Sequence, residues 1–329
     1  MVKDWRDLSV LIVGCGSIGK RHARVLAGLQ VQDLRACDPR MEQRASLLAQ
    51  VPTVKISESY EDGLRGAPDT VLICTPPWLH IPQAKQAIQA GCHVLTEKPL
   101  SDSTEGIDDL VVLAERQHKK IMVGLCFRYH AGLVKAKSYL AAGKIGRLIS
   151  VRALVGEHLP AVRPDYRTLF SAQVGGAFDL IHDIDLAIWY AGQEIRAVRA
   201  FCGTYSDIGI TAPDLAEVLM KFQDRCLASV HLDFFQRPRR RQIELMGTRG
   251  VILVEFARWE QCAVSTYEAD ADKWEHEELA TERDDMFRAQ DREFLQAVTE
   301  DSPIRCTVAE ALKSLAVVLA ATAAREAKR

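Results

Sequence analysis

Three groups of residues in this chain have types and spacings that can do chemistry. Gly14-Cys-Gly16-Ser17-Ile18-Gly19 has the G-x-G-x-x-G spacing, which lets a backbone close on a pyrophosphate. Glu97-Lys98-Pro99 sets an acid beside a cation ahead of a proline. Gly175-Gly176-Ala-Phe-Asp179-Leu-Ile-His182-Asp183-Ile-Asp185 places one histidine among three carboxylates. An imidazole titrates at about 6.5, close to working pH, and so can exchange protons during turnover. Taken singly, each group has a plain alternative. Three glycines in six residues also make an ordinary turn, acid–base pairs before prolines are common, and a lone helical histidine is more often structural. The settings of the three groups decide between these readings.

The glycines follow an apolar run, Ser9–Val13, and precede Ile18, Val25, Leu26 and Leu29 at helical intervals. The order is therefore strand, tight turn, helix. Gly14 permits the turn, Gly16 admits the pyrophosphate, and Gly19 lets helix and strand pack closely. The N–H groups and dipole of the helix N-terminus then face the phosphates. Strands are expected at 9–13, 33–37, 53–56, 69–74, 92–95 and 120–125, alternating with helices at 17–29, 39–50, 57–65, 80–90 and 103–118. The last helix carries one apolar stripe, Ile107, Leu110, Val111 and Ala114, with Ser101, Asp102 and Ser103 as candidate caps. Repeated strand–helix units predict a doubly wound parallel Rossmann sheet over residues 1–126, with ligands at the carboxyl ends of its strands.

Asp38 closes the second strand. An acid there accepts hydrogen bonds from the adenosine ribose and repels a 2′-phosphate, which favours NAD over NADP. Arg40, two residues on, softens that preference, and a turn role for Asp38 before Pro39 is the alternative. Thr75-Pro76-Pro77 ends another strand in a rigid turn that would press against the cofactor. Glu97 and Lys98 leave the carboxyl end of the fifth strand, which makes them candidate site residues.

Beyond residue 126 the periodicity changes. Leu148–Val155, Leu215–Phe222, Cys226–Phe235, Arg241–Met246 and Val251–Phe256 read as strands without regular helices between them, predicting an α+β domain with a largely antiparallel, open-faced sheet over 127–329. In the third strand Cys226, Ala228, Val230, Leu232 and Phe234 share one face, and Ser229, His231 and Asp233 the other. Gly175 and Gly176 fit a loop entering a helix near 177, on which Asp179 and His182 are i, i+3 neighbours. Two helices, near 283–299 and 307–325, close the chain.

A net charge of −2 over 329 residues and a pI near 6.5 exclude nucleic acid or an anionic membrane as the main partner. The longest apolar run, Leu315–Ala324, falls well short of the roughly 20 residues of a membrane span. Asp4, Arg6 and Asp7 lead directly into the first strand, unlike a signal peptide. Nine cysteines without a C-x-x-C pair read as reduced thiols of a cytoplasmic protein. No Cys/His cluster has zinc spacing, and no metal is expected. Residues 157–167, with Glu157, His158, Asp165, Tyr166 and Arg167, form a polar segment suited to a sugar. The basic run Arg237–Arg241 reads equally as an anion site or as a solvated strand edge.

The Gly14–Gly19 loop, Thr75-Pro76-Pro77-x-x-His80, Glu97-Lys98-Pro99 and Gly124-x-x-x-Arg128 together resemble the glucose–fructose oxidoreductase / inositol dehydrogenase (Gfo/Idh/MocA) family. The likeness continues through Gly143-Lys-Ile-Gly146, Gly175-Gly176 with His182 and Asp185, and Gly247-Thr-Arg-Gly250. It implies cofactor contacts at Gly14, Gly16, Ser17, Ile18, Gly19, Asp38, Arg40, Thr75, Pro76, His80, Glu97, Lys98 and Arg128. It implies substrate contacts at Lys98, Arg128, Tyr166, Arg167, Asp179 and His182, and catalytic roles for Lys98, His182 and Asp179. Many members have an aspartate four residues before the histidine. Asp179 lies three before, a form that looks like a subgroup of sugar-nucleotide and sialic-acid-type biosynthesis. The implied activity is hydride transfer between nicotinamide and a carbinol carbon of a sugar, polyol or nucleotide sugar, in a homodimer or homotetramer formed through the second sheet. Alternatives are an enzyme that holds NAD tightly for transient redox, and a catalytically silent NAD- or sugar-binding regulator.

Overall fold

Residues 4–169 and 175–326 are described by a computed structural model and divide into two compact units. The first unit comprises Met1–Cys126 with Asp284–Leu312, and the second Phe127–Arg283 with Lys313–Arg329.

In the first unit β1 (Ser9–Val13), β2 (Asp33–Cys37), β3 (Lys55–Ser57), β4 (Thr70–Ile73), β5 (His93–Thr96) and β6 (Ile121–Val123) form a parallel sheet, ordered β3-β2-β1-β4-β5-β6. Val10, Leu11, Ile12, Val71, Leu72 and Ile73 are all fully buried, as strands covered on both faces require. The intervening helices are α1 (Ser17–Gly28), α2 (Met41–Gln50), α3 (Tyr60–Arg65), α4 (Pro77–Gln89) and α5 (Ile107–Arg116). Strand order reverses between β1 and β4, so their carboxyl ends open on the crevice where such sheets take ligands. The Cys74 N–H donates to Val13 O at 2.8 Å and keeps those two ends level. Helix α5 starts at Ile107 rather than 103, because Gly106 takes a left-handed φ of 72° and serves as the cap. Ile107, Leu110 and Ala114 are buried, as the stripe predicts.

A single division at residue 126 does not describe the chain. Residues 284–312 return to the first unit, and hydrogen bonding shows why. The Val123 N–H at the end of β6 donates to Cys306 O at 2.8 Å, and Met122 bridges to Thr307. Helix α10 (Asp285–Glu300) brings Phe287 and Asp291 against His22 of α1.

The second unit holds an eight-stranded sheet. Its strands are β7 (Leu148–Gly156), β8 (Ile195–Gly203), β9 (Leu215–Phe222), β10 (Leu227–Asp233), β11 (Arg240–Gly247), β12 (Gly250–Glu255), β13 (Gln261–Glu268) and β14 (Lys273–Ala280), ordered β14-β13-β12-β11-β7-β10-β9-β8. All pairs are antiparallel except β7–β10. The sequence left β8, β13 and β14 unassigned. Two of these are the sheet edges, and β14 is exposed along most of its length, so no burial pattern marks them. Ala228, Val230 and Leu232 of β10 are buried while Ser229 and His231 are half-exposed. Asp233 departs from that alternation: it is buried, accepting the N–H groups of Phe235 and Gln236. Helices α6 (Ala131–Ala141), α7 (Leu159–Val162), α8 (Tyr166–Leu169), α9 (Ile181–Ala191) and α11 (Val308–Glu326) complete the described elements.

Candidate cofactor and substrate half-sites

In the first unit the glycine loop turns at the switch point between β1 and β4. Gly14 has φ +95°, and a Cβ there would lie 2.9 Å from Cys74 O. A Cβ on Gly19 would lie 1.9 Å from Gly14 O, so only glycine lets α1 pack this close. Gly16 differs from both. It caps α1 with φ −68°, and a Cβ there would meet nothing within 4 Å. Gly14 and Gly19 therefore serve the fold, and Gly16 keeps open the space beside the α1 N-terminus, where Ser17 is exposed. Open backbone beside first-turn N–H donors fits a dinucleotide pyrophosphate.

Asp38 is 3% exposed. It accepts the Cys15 N–H at 2.9 Å, the Arg40 N–H at 2.9 Å and the Arg40 guanidinium at 3.1 and 3.2 Å. Burial works against its charge, but the Arg40 and Cys15 hydrogen bonds outweigh it and hold the carboxyl below its ordinary value. Asp38 thus closes the glycine loop through Cys15, with the exposed Arg40 side chain lying over it.

Two expected cofactor residues have other partners. His80 is 1% exposed; Nε2 lies 2.8 Å from Thr75 O and Nδ1 2.9 Å from Pro99 O. The ring braces the Thr75 turn, whose hydroxyl bonds Gln83, against the Lys98–Pro99 segment, leaving neither nitrogen for a ligand. In the second unit Arg128, 3% exposed, makes a bidentate pair with Asp185, Nε–Oδ2 2.9 Å and Nη2–Oδ1 2.7 Å. Its type suited a ligand, but its burial commits it to Asp185.

Glu97 and Lys98 follow β5. Glu97 accepts the Lys98 N–H at 3.1 Å, and a Cβ on Gly124 would come within 2.9 Å of Oε1, so that glycine makes room for the carboxylate. The other Glu97 contact was not anticipated. His22, fully buried, has Nε2 3.1 Å from Glu97 Oε1 and Nδ1 2.8 Å from Asp291 Oδ2. A signal was present: His22 falls on the apolar stripe with Ile18, Val25 and Leu26, and Asp291 on that with Phe287, Phe294 and Leu295. A charged type on a core face calls for a buried partner.

In the second unit the glycine pair is required by close approach. Gly176 has φ +63°, and a Cβ there would lie 2.2 Å from Pro213 O, which accepts the Ala177 N–H at 2.7 Å. Asp179 and His182 do not share one helix. A 3-10 turn spans Gly176–Leu180 and α9 begins at Ile181, so the i, i+3 reading fails at the junction, where Leu180 has ψ 26°. His182 is 9% exposed, and its ring packs 4.9 Å from that of Phe127. The flanking acids are neutralised: Asp185 by Arg128, and Asp183 by Arg241 at 3.3 and 2.5 Å. Burial pushes the Asp183 carboxyl up despite its arginine. Arg241 also lies 3.8 Å over the Phe127 ring, tying it to the residue that holds His182. Among the described residues no group of three or more His, Cys, Asp or Glu side chains could hold a metal.

Tyr166 is a core residue, not a surface contact. It is 7% exposed among Leu159, Ile208, Ile210 and Phe234, and its hydroxyl donates to Ile208 O at 2.6 Å. Arg167 is exposed, with Nε donating to the Tyr166 hydroxyl at 3.0 Å. The basic run does not form one patch. Arg241 turns inward, Arg240 lies on the exposed face beside Gln242, Arg239 pairs with Glu157 over Trp259, and Arg237 meets His158.

A doubly wound sheet with this loop at its switch point, joined to an antiparallel α+β unit, defines a dinucleotide-binding oxidoreductase. The pattern of the oxidoreductase family with an NAD-binding Rossmann fold matches residues 8–125, and that of the GFO/IDH/MocA C-terminal domain matches 133–253. The chain belongs to the Gfo/Idh/MocA oxidoreductase family. A protein named UDP-N-acetylglucosamine 3-dehydrogenase, from Acidithiobacillus ferrooxidans, is 27% identical over 331 residues, 96% of each chain. GenD2 from gentamicin A biosynthesis, solved with NAD, is 25% identical with a TM-score of 0.83, covering 100% of this chain and 96% of its own. An inositol 2-dehydrogenase from Acidothermus cellulolyticus is 30% identical over 225 residues, 65% of this chain and 62% of its own.

The two loop glycines separate folding from binding. Gly16→Ala is expected to keep the melting temperature but weaken NAD binding about tenfold or more (~1.4 kcal/mol). Gly19→Ala is expected to cost about 2–3 kcal/mol of stability through overpacking. Calorimetry with and without NAD distinguishes them. For Arg128→Ala the buried Asp185 left behind predicts a loss of about 3–5 kcal/mol. A variant of wild-type denaturation midpoint that had lost only ligand affinity would contradict the ion-pair role.

Proposed function

We propose that this protein is an NAD-dependent oxidoreductase that transfers hydride between nicotinamide and a carbinol or keto carbon of a sugar or nucleotide sugar. The observation that carries the reading is Lys98. It leaves the carboxyl end of β5 in the sheet that carries the dinucleotide loop, with its backbone fixed by Glu97. The named activities of the relatives support the substrate class.

Bound nicotinamide supplies the hydride acceptor. The chain supplies the proton chemistry. As a carbinol C–H leaves as hydride, the hydroxyl must lose its proton and its oxygen gains carbonyl character. His182 takes that proton. The Lys98 ammonium donates a hydrogen bond to a substrate oxygen and stabilises the charge that develops there. In the reducing direction the two roles reverse. Asp179, half-buried in the turn before α9, and the exposed Arg167 face the substrate in this reading. Asp38 selects NAD by repelling a 2′-phosphate.

We also propose a cytoplasmic homodimer or homotetramer joined through the open sheet face. Phe201, Leu219 and Leu227 on β8, β9 and β10 are 65%, 57% and 59% exposed, an apolar set on adjoining strands. The nine cysteines are free thiols, which suits a reducing compartment.

Lys98→Ala and His182→Ala are each expected to lower kcat by about 10³ or more, with NAD affinity within about twofold. Turnover against sugars and nucleotide sugars is read from nicotinamide absorbance, and affinity from fluorescence. Unchanged turnover in either variant removes that residue from the mechanism. NAD that co-purifies stoichiometrically and never exchanges would assign transient redox instead. Leu219→Glu is expected to lower the mass seen by light scattering to that of a monomer, and an unaltered mass would move the interface elsewhere.

A further inference from the structure

We propose that His22 and Asp291 are positioning residues for Lys98, acting through Glu97 as one buried relay. The inference rests on the catalytic reading of Lys98 above. The relay is short and complete. Asp291 Oδ2 lies 2.8 Å from His22 Nδ1, His22 Nε2 lies 3.1 Å from Glu97 Oε1, and Glu97 Oε2 accepts the Lys98 N–H at 3.1 Å. Every member up to Lys98 is at most 6% exposed. The Phe287 ring meets His22 edge-on, with centroids 5.5 Å apart, and closes its remaining side.

The arrangement dictates a protonation state. Both ring nitrogens face carboxyl oxygens, and with both acids ionised each contact is an N–H donating to a carboxylate. Burial alone would discharge the ring. Asp291 first, and Glu97 after it, reverse that and raise its pKa to about 10. The other groups near this centre change little: Arg21 on the same helix is paired with Asp284 at 3.0 Å, and burial keeps the Cys74 thiol after β4 protonated. The imidazolium therefore persists through the working range. The stability it contributes is complete below about pH 6.5 and is lost as pH rises through about 10.

A histidine serving only to fill the core would not need two carboxylates, because burying ions is costly and apolar residues fill the same volume at least as well. What the relay achieves is a fixed carboxylate orientation one residue from the catalytic ammonium. A small displacement of such a group costs rate far more than it costs binding.

The test uses the full-length protein in two arms. The first follows the His22 ring nitrogens by NMR. The wild-type ring is expected to stay doubly protonated well above pH 8, and in Asp291→Asn to titrate about two pH units lower. A neutral wild-type ring at pH 8 overturns the proposal. The second arm is kinetic. His22→Gln and Asp291→Asn are expected to lower kcat about tenfold or more, with sugar KM and NAD affinity little changed. Asp291→Asn is also expected to add an alkaline limb to the kcat profile at the pKa of its own His22, and Asp291→Glu to restore most of the rate. A doubly protonated ring with undiminished kcat in both variants overturns the positioning role. Full turnover in Lys98→Ala would instead sink the reading on which the proposal rests. Should Asp291→Asn fail to fold, His22→Gln and the wild-type ring titration carry the decision.

Discussion

An imidazole sealed from water with a carboxylate on each nitrogen cannot be left half-paired. Removing either acid would leave a buried ring N–H without its acceptor, which costs about 1–3 kcal/mol. His22 lies near the start of the chain and Asp291 near its end, so one contact obliges the polypeptide to return to its first sheet. The return has further holds. Phe287 packs on the same ring, and Cys306 O continues the hydrogen bonding beyond β6. The division of the chain into discontinuous units follows from satisfying these groups.

The second unit meets the same requirement with guanidinium groups. Asp183 and Asp185 are almost entirely buried on either side of His182, one paired with Arg241 of β11 and the other with Arg128. A helix start carrying two buried acids would be unstable alone. With both neutralised from different segments, α9 is fixed in rotation and in depth. Phe127, under Arg241 and against His182, turns that rigidity into a defined ring position. Both units thus hold a side chain proposed for catalysis through a neighbour in sequence: Glu97 for Lys98, and the flanking aspartates for His182.

The cofactor unit was largely legible in the sequence, because a parallel sheet covered on both faces writes itself as apolar runs with helical stripes between. The glycine loop, Asp38 and the Glu97-Lys98 corner fell where the spacing put them. Three kinds of feature were not legible. Edge strands β8 and β14 lack a buried face and so lack a period. The break at Leu180 lies between two turns that look helical from composition. Most instructive were Arg128, His80 and Tyr166, whose types suggest ligand contacts but which are consumed internally. Spacing identifies a polar residue near a site, but it does not say whether a buried partner has already claimed it. His22 shows the converse, since a charged residue on an apolar stripe announced a partner that only the fold could name.

The return of residues 284–312 bears on how such a protein can be recombined. A chimera joined once after residue 126 would inherit β1–β6 from one parent and α10 from another, and with it a foreign counter-charge for His22. Exchanging the second unit cleanly therefore takes paired junctions, one near 126 and one near 283, with a third near 312 if the last helix is to travel with it. The same constraint sets an order on the ribosome. His22 Nδ1 lacks its Asp291 partner until α10 has emerged, so the first sheet gains this contact only after most of the chain has been made.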